Sequence, residues 1–545
     1  MTAWRFITCS IAAAALGPGL QAQSLDRTDP TQEEETRTPP LDAPAPPPPV
    51  IETARAVPAA AATLQVGAIV ISGAREMRGA DFVDLAERYG ARTLSPAQLE
   101  ELTQAVAGRA RQRGYVFATA WIEPQSLDAG VLRVRLDEGV IDEIRISGEA
   151  EAAVRPLLEP LRDGRAVRLA DLERRVLLAE DVAGVWIRRT RYERDGDKGI
   201  LHVDARRSRF SGYAELANDG SRPIGPQRVR LDLDANGVLM ARDALDVSLA
   251  TVPFEFEELM FARARYGWAV GTDGLRMGIT GSYSRTEPGA YLEDRDILGR
   301  SWRVGVDIRR PLRRTRAFSM WIEGELELRD LRQQRADRLV RHDRIPALRT
   351  SLYSVAALGG GTMRGKLTFS SGLDILDATQ PGDPLASRDD ASVDFHTLHG
   401  WLEWLRPVGG GFSLEVAGRG QLATDPLLAT EDIGLGGNRF ARGYDFSERF
   451  GDEGLMGYGE LRYDWADAPG PLRRVQFYAY ADGGVVGNLQ GGFGGGSLAS
   501  GGGGLRADLR RDLDMDLVVA VPLTGPRYDT DDRSPRVIIR AGKAF

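Results

Sequence analysis

From Phe210 onward the chain alternates apolar and polar residues in run after run, interrupted by Gly, Pro, Asp and Arg turns. RVRLDLDA sets Val229, Leu231 and Leu233 against Arg228, Arg230 and Asp232, and WRVGVDIRR, MWIEGELEL and GFSLEVAGR repeat the device. The fullest run is LMGYGELRYDW. Leu455, Gly457, Gly459, Leu461, Tyr463 and Trp465 form one face; Met456, Tyr458, Glu460, Arg462 and Asp464 form the other. VQFYAYADGG follows, with Gln476, Tyr478, Tyr480 and Asp482 on its polar side. A period of two means a strand between two environments. About sixteen such candidates in roughly 335 residues predict an all-β transmembrane barrel of antiparallel strands, apolar outward and charged inward. Lipid tolerates no open sheet edge, so the strand near 211–217 must pair with the last one, ending at Phe545. A soluble β-sandwich or solenoid is the alternative, and charge on the polar face of nearly every strand weighs against it.

The first residues change the setting. MTAWRFITCSIAAAALGPGLQA carries Arg5 ahead of an apolar run, with Pro18, Gly19 and a small residue at Ala22. Residues 1–22 read as a secretory signal peptide, too short to span a bilayer. Cys9, the single cysteine, lies inside it, so the mature chain has neither disulfides nor thiol chemistry. Residues 23–63 form a Pro-rich linker with PAPPPP at 44–49 and the acidic cluster Glu33–Glu35, extended rather than folded. The formal charge is -8, with arginines interspersed among acids. No basic stripe points to nucleic acid.

Between linker and barrel the chain repeats itself. AIVISG at 68–73 and EIRISG at 143–148 each precede helical pattern and then two strands. In the first copy Ser95, Pro96 and Gln98 make a capping box, Leu99, Leu102, Val106 and Ala110 line one helical face, and Gly114 ends the helix. In the second, Leu169, Leu172, Val176, Leu178 and Ala179 do the same. The order β-α-α-β-β predicts small α+β domains over 64–138 and 139–209, ahead of the barrel at 210–545. Such sheets keep an exposed edge to which an unfolded client can add a strand; a rigid spacer is the alternative.

Candidate chemistry is sparse. The glycine tract at 483–504 reads as a flexible loop, and it lacks the context of a phosphate-binding motif. His396 and His399, three apart in an alternating strand, face opposite ways, and no G-x-S-x-G elbow occurs. We expect no catalytic, cofactor or metal site. The remaining candidate is a bidentate ion pair between Arg442, in the loop NRFARGYDFSERFGDEG, and Asp482 on the polar face. Spacing alone leaves open whether that loop enters the lumen or carries an ordinary solvated arginine outside.

On these residues the chain resembles the outer-membrane transporters of two-partner secretion, the haemolysin and adhesin secretion/activation proteins of the Omp85 superfamily. The resemblance covers about 64–545. The family's Val-Arg-Gly-Tyr/Phe loop signature is matched by Ala441-Arg442-Gly443-Tyr444, departing at the first position, and its Asp-x-Gly by Asp482-Gly483-Gly484. The terminal aromatic read by the barrel-assembly machinery matches Phe545. The resemblance implies two POTRA domains in the periplasm of a Gram-negative cell and a monomeric pore in its outer membrane. It implies that Arg442 holds the loop tip against the wall, that Gly443 permits the tight tip, and that Tyr444 packs beside it. The implied client is a large secreted β-helical exoprotein of adhesin or haemolysin type; the runner-up is an Omp85-type factor that inserts other barrels. The family's plug helix is not expected from the Pro-rich stretch 24–62.

Overall fold

A computed structural model of the chain describes residues 50–51 and 63–545, apart from 128, 197, 466–469 and 511. The signal segment with Cys9, and the linker apart from Val50, Ile51 and residue 63, lie outside the described residues. Val50–Ile51 is a short strand, β1.

The first repeat builds β2 (Leu64–Val66), β3 (Ala68–Ser72), α1 (Val83–Tyr89), β4 (Arg92–Leu94), α2 (Pro96–Gln112), β5 (Thr119–Trp121) and β6 (Val131–Asp137). Its sheet has the order β3-β6-β5. Ser95 caps α2, its Oγ accepting from the Gln98 N–H while the Gln98 side chain accepts from the Ser95 N–H. The buried face of α2, Leu99, Leu102, Val106 and Ala110, belongs to one core with Leu132, Val134 and Leu136 of β6. The alternate residues Arg133 and Arg135 stay in water. One turn escaped the sequence pattern: the buried Glu138 carboxylate accepts from the backbone N–H groups of Arg75, Glu76 and Met77.

The second repeat builds β7 (Glu143–Ser147), α3 (Glu151–Leu158), α4 (Leu169–Glu180), β8 (Val185–Asp195) and β9 (Lys198–Arg207). Leu172, Val176, Leu178 and Ala179 enter its core, whereas Leu169, at the helix start, is exposed. The sheet order is β8-β9-β7, and β1 lies parallel on the outer edge of β8, Val50 opposite Arg191 and Ile51 opposite Tyr192. The linker thus contributes a strand at these two residues. Phe117 of the first unit stacks on Tyr192 of the second, ring centroids 3.9 Å apart, which ties the two units together.

The alternating runs form sixteen antiparallel strands. They begin with β10 (Phe210–Ala217), β11 (Arg228–Asn236), β12 (Asp243–Thr251), β13 (Met260–Val270), β14 (Leu275–Thr286) and β15 (Ile297–Arg314). β16 (Phe318–Arg335), β17 (Arg338–Leu358), β18 (Gly361–Gly372), β19 (His396–Gly409) and β20 (Phe412–Ala423) continue the wall. Two short strands, β21 (Ile433–Leu435) and β22 (Arg449–Gly451), belong to a loop. β23 (Glu453–Trp465), β24 (Leu472–Gly487), β25 (Gly496–Leu509), β26 (Leu513–Pro522) and β27 (Arg536–Ala544) complete it.

The sheet closes on itself through β10 and β27, and Gly212 and Phe545 exchange backbone hydrogen bonds at the end of that seam. Val304, Val306, Ile308, Leu326, Val416, Leu461, Phe477, Val537 and Ile539 face outward and are exposed in the isolated chain. Those outward apolar rows are what a lipid-embedded barrel requires. The second unit docks beneath one mouth, which we call the near end. Arg314 pairs with Asp181 at 2.7 Å, and Arg175 donates to the Thr272 carbonyl at 2.8 Å.

The glycine tract corrects the sequence reading. Residues 483–487 and 496–504 are strand, and only 488–495 form a loop. A side chain at Gly502 or Gly504 would collide with the rings of Tyr480 or Tyr478, which lean across from β24. The tract is glycine-rich on its inner face because the carbonyls of Val519 and Leu517 in β26 on one side and the two tyrosines of β24 on the other leave no room for a Cβ, and the ladder itself remains intact.

Candidate functional site: a loop pinned inside the barrel

The chain between β20 and β23, residues 424–452, leaves the far end and folds back into the lumen. β21 and β22 pair antiparallel to make its two arms. Ile433, Leu435, Phe440, Ala441 and Tyr444 of the loop cluster with Met456, Tyr458, Val486 and Leu498, inward-facing residues of β23–β25. A charged barrel interior with an apolar patch at this height already says where the loop belongs.

The tip carries the motif. Ala441 sits in the left-handed region at φ 55, and its carbonyl accepts from the Tyr444 N–H at 3.0 Å, closing a turn. A β-branched residue is strained at such an angle, so alanine suits the position. Gly443 lies directly on the wall: a Cβ there would stand 2.9 Å from the Pro522 nitrogen and 3.0 Å from the Ser500 Cβ. Its N–H donates to Ser500 Oγ at 3.0 Å. Tyr444 is fully buried, with its hydroxyl 2.8 Å from Thr524 Oγ1 and donating to the Gly525 carbonyl at 3.0 Å.

Arg442 reaches into the wall. Its Cζ lies 3.9 Å from the centre of the Tyr480 ring and 4.9 Å from that of Tyr458. One NH1 hydrogen bond, 2.7 Å long, goes to Glu460 Oε2. Asp482 lies beside it, Oδ2 accepting the Arg442 backbone N–H at 3.1 Å and standing 3.4 Å from Nε. Asp482 also accepts from the Ser500 hydroxyl. The arrangement differs from the bidentate Arg442–Asp482 pair that the sequence suggested. The guanidinium's hydrogen bond is to Glu460, while Asp482 holds the backbone at the tip and supplies a second negative charge. Gly484 lies further along β24, facing Met456 across the ladder.

Glu460 is the residue that sequence reasoning missed. It is buried and accepts from Arg442, from Arg506 at 2.8 Å and from Arg462 at 2.7 Å. Arg506 in turn stacks 3.9 Å from the Tyr478 ring centre. The signal was present, since Glu460 and Tyr480 both fall on the inward register; what was missing was the cross-strand register that sets Glu460 opposite Tyr480. Guanidiniums stacked on rings and hydrogen-bonded to carboxylates in a narrow lumen form a charge-assisted lock. Farther out, the fully buried Asp452 accepts from Arg388 at 2.9 Å, from the Leu427 N–H at 2.7 Å and from the Leu489 N–H at 2.6 Å. It thereby joins three far-end loops.

His399 accepts from Arg419 Nε at 2.8 Å and His396 stacks on Phe369, so the pair shares no site. Among the described residues no group of three His, Cys, Asp or Glu is placed to hold a metal ion.

Known proteins share this architecture. Residues 200–507 match the family described as haemolysin secretion/activation protein ShlB/FhaC/HecB, and residues 64–139 match the POTRA domain of ShlB type. The heme/hemopexin transporter protein HuxB of Haemophilus influenzae is 22% identical over 392 residues, 70% of this chain and 69% of that protein. The outer membrane transporter CdiB of Dickeya dadantii is 23% identical over 413 residues, 72% of this chain and 70% of that protein. The solved structure of CdiB from Escherichia coli shares the fold with a TM-score of 0.71, at 20% identity, covering 98% of this chain and 100% of that one.

Proposed function

The chain belongs to the haemolysin secretion/activation family of two-partner secretion transporters in the outer membrane, with POTRA in the periplasm, and from that membership we propose how it handles its client. An unfolded exoprotein of β-helical type binds the periplasmic units by adding a strand to a sheet edge. It then passes through the barrel to the cell surface, and the tip lock at Arg442 opens and recloses as it goes. The near end, where the second unit docks, faces the periplasm. The assembly machinery reads Phe545 during biogenesis, and the pore acts as a monomer.

One observation carries this reading: a loop fills part of the lumen, and among the contacts that hold its tip the Arg442 guanidinium is the one that reaches into the wall, on one hydrogen bond, one neighbouring carboxylate and two ring faces. Such a contact is strong enough to set a resting position. It is also local enough to exchange for water or for a passing chain, whereas the wall ladder, with thirteen residue pairs between β23 and β24, is not. The linker strand supports strand addition as the mode of capture, because β1 lies along two residues of the eleven-residue β8, and among the described residues no other strand pairs with that edge. No motif for nucleotide hydrolysis is present, so client folding outside would supply the driving force.

The test is Arg442→Ala, compared with the unaltered chain at equal membrane abundance. We expect an assembled, heat-modifiable barrel with sharply reduced client export. Normal export by that variant removes Arg442 from the mechanism. Deleting 64–138 should abolish client capture and leave the barrel heat-modifiable; unchanged capture would favour the spacer reading.

A further inference from the structure

The lumen has a second side. Between the loop and the wall β13–β20 lies a cavity of about 640 Å³, lined by nine arginine and lysine side chains against five carboxylates. That excess stands out in a chain whose formal charge is -8. Most of the lining carboxylates are already engaged. Asp307 binds Arg265 at 2.7 Å, Glu323 binds Lys366 at 2.7 Å, Glu325 binds Arg303 at 2.7 Å, and Glu431 binds Arg349 at 2.8 Å. Arg263 has no hydrogen bond or ion pair among the described residues, and its Nε is buried without a partner. Arg276 makes one described hydrogen bond, to the Asp181 carbonyl of the second unit at 3.0 Å, and no ion pair. Arg309 lies 4.8 Å from the Trp321 ring centre and 5.4 Å from that of Tyr353, and its Nε stands 3.3 Å from Glu323, a carboxylate it shares with Lys366. His399 accepts a hydrogen bond from Arg419 at 2.8 Å, and an imidazole, neutral or protonated, supplies no negative charge to this wall.

We infer that this wall is a recognition track for carboxylate-rich, extended segments of the polypeptide in transit. Buried guanidinium N–H groups without partners are an incomplete half of a charge-assisted interaction, and a carboxylate completes it with matching fork geometry. Fixed positive charge along a narrow water-filled wall concentrates anions there. The polypeptide groups that answer this chemistry are Asp and Glu side chains, presented one after another by an extended chain. The inference rests on the proposed passage of a client through the lumen and adds to it the chemistry of the segments that pass most readily.

The test uses the purified full chain in planar lipid bilayers, with peptides added on the periplasmic side and current block as the readout. The probes are poly-L-glutamate, poly-L-lysine, a neutral Gly-Ser peptide of equal length, and inorganic phosphate. Poly-L-glutamate is expected to block at a concentration about tenfold or more below that of poly-L-lysine, with the advantage shrinking as salt is raised. Arg263→Gln should weaken that block several-fold, and Arg263→Lys should largely restore it. Equal block by both charged peptides, an advantage insensitive to salt, or an unaltered block in Arg263→Gln overturns the inference. Phosphate competing as well as the peptide at matched charge also overturns it, since the site then takes small anions. If the neutral peptide enters while charge makes no difference, the conduit stands and the track falls. If no peptide enters, the conduit itself fails. The comparison of probes on the unaltered chain decides the matter even if the variants do not fold.

Discussion

On the wall formed by β23–β26, Arg442 and Arg506 each lie against a tyrosine ring and reach Glu460. On the wall formed by β13–β18, Arg263 and Arg276 make no hydrogen bond or close ion pair to a carboxylate among the described residues. Both walls are strands of one barrel with the same inward alternation. They differ in what completes the arginines. The first wall holds the chain's own loop, so its charges are satisfied internally and the contact is a resting state. The second borders open lumen, so part of its hydrogen-bonding capacity is left for something that is not always there. Arginine content therefore says little about a pore wall. The pairing of each guanidinium decides whether the wall binds its own chain or a visitor.

The largest effect should come from the locked wall. Arg442→Ala leaves Glu460 buried with Arg506 and Arg462 still beside it, so the loss falls at the lower end for a broken buried pair, about 3 kcal/mol of loop anchoring. Protease sensitivity of 424–452 in membranes should rise, and bilayer currents should show more frequent open events. An Arg442→Ala loop as protected as the original would mean that the apolar cluster and the hydrogen bonds of Gly443 and Tyr444 to the wall hold the tip without the guanidinium. Gly443→Ala comes next. The added methyl meets Pro522 and Ser500, and overpacking of this kind costs about 1–3 kcal/mol. The same two assays should respond in the same direction with smaller amplitude, while the thermal unfolding of the barrel barely moves.

These two predictions rest on parts of the site that differ in how readable they were. Arg442, Gly443 and Tyr444 stood out because a loop motif is local in sequence. The inward direction of Asp482 followed from alternation within one strand. Glu460 and Tyr480 also lay on the inward face, but their meeting with Arg442 depends on which residue of β23 sits opposite which of β24, a register that neither strand encodes alone. The glycine tract misled for the same reason. Gly502 and Gly504 read as loop because a strand without side chains has nothing to pack, yet the packing is supplied from β24 by Tyr478 and Tyr480. Single-strand periodicity carries the barrel and the direction of each side chain; pairwise partners across strands need the closed sheet.

Tyr480 separates ring from hydroxyl in the lock. Its ring face lies under the Arg442 guanidinium, whereas its hydroxyl is buried with no hydrogen-bond partner among the described residues. Tyr480→Ala should weaken tip anchoring by about 2 kcal/mol through loss of the desolvated ring contact. Tyr480→Phe keeps the face and removes a group that is bonded to nothing, so its effect should stay within about 0.5 kcal/mol. Equal loss in both variants would show that the hydroxyl meets a water or a loop group when the barrel is in its membrane, and the stacking account would fail.

The smallest expected effect belongs to the open wall and tests the comparison from its other side. Arg263→Ala removes a cation that makes no hydrogen bond or close ion pair among the described residues, and Asp246, the acid it acts on, keeps Arg265 and Arg276. Thermal unfolding, followed by heat-modifiability on gels, should move by no more than about 0.5 kcal/mol, and protease protection of the loop should not change. Asp246 is the acidic group that feels the Arg263 charge, alongside Arg265, which stands 3.8 Å from it. If Arg263→Ala destabilised the barrel as much as Arg442→Ala loosens the loop, Asp246 would be the reason, and Arg263 would have to be counted among the satisfied charges. The contrast between the walls would then reduce to the presence of the tyrosines. A silent Arg263→Ala, set beside a released Arg442→Ala loop, would mean instead that one barrel keeps two populations of arginine, one spent on its own chain and one held ready for another.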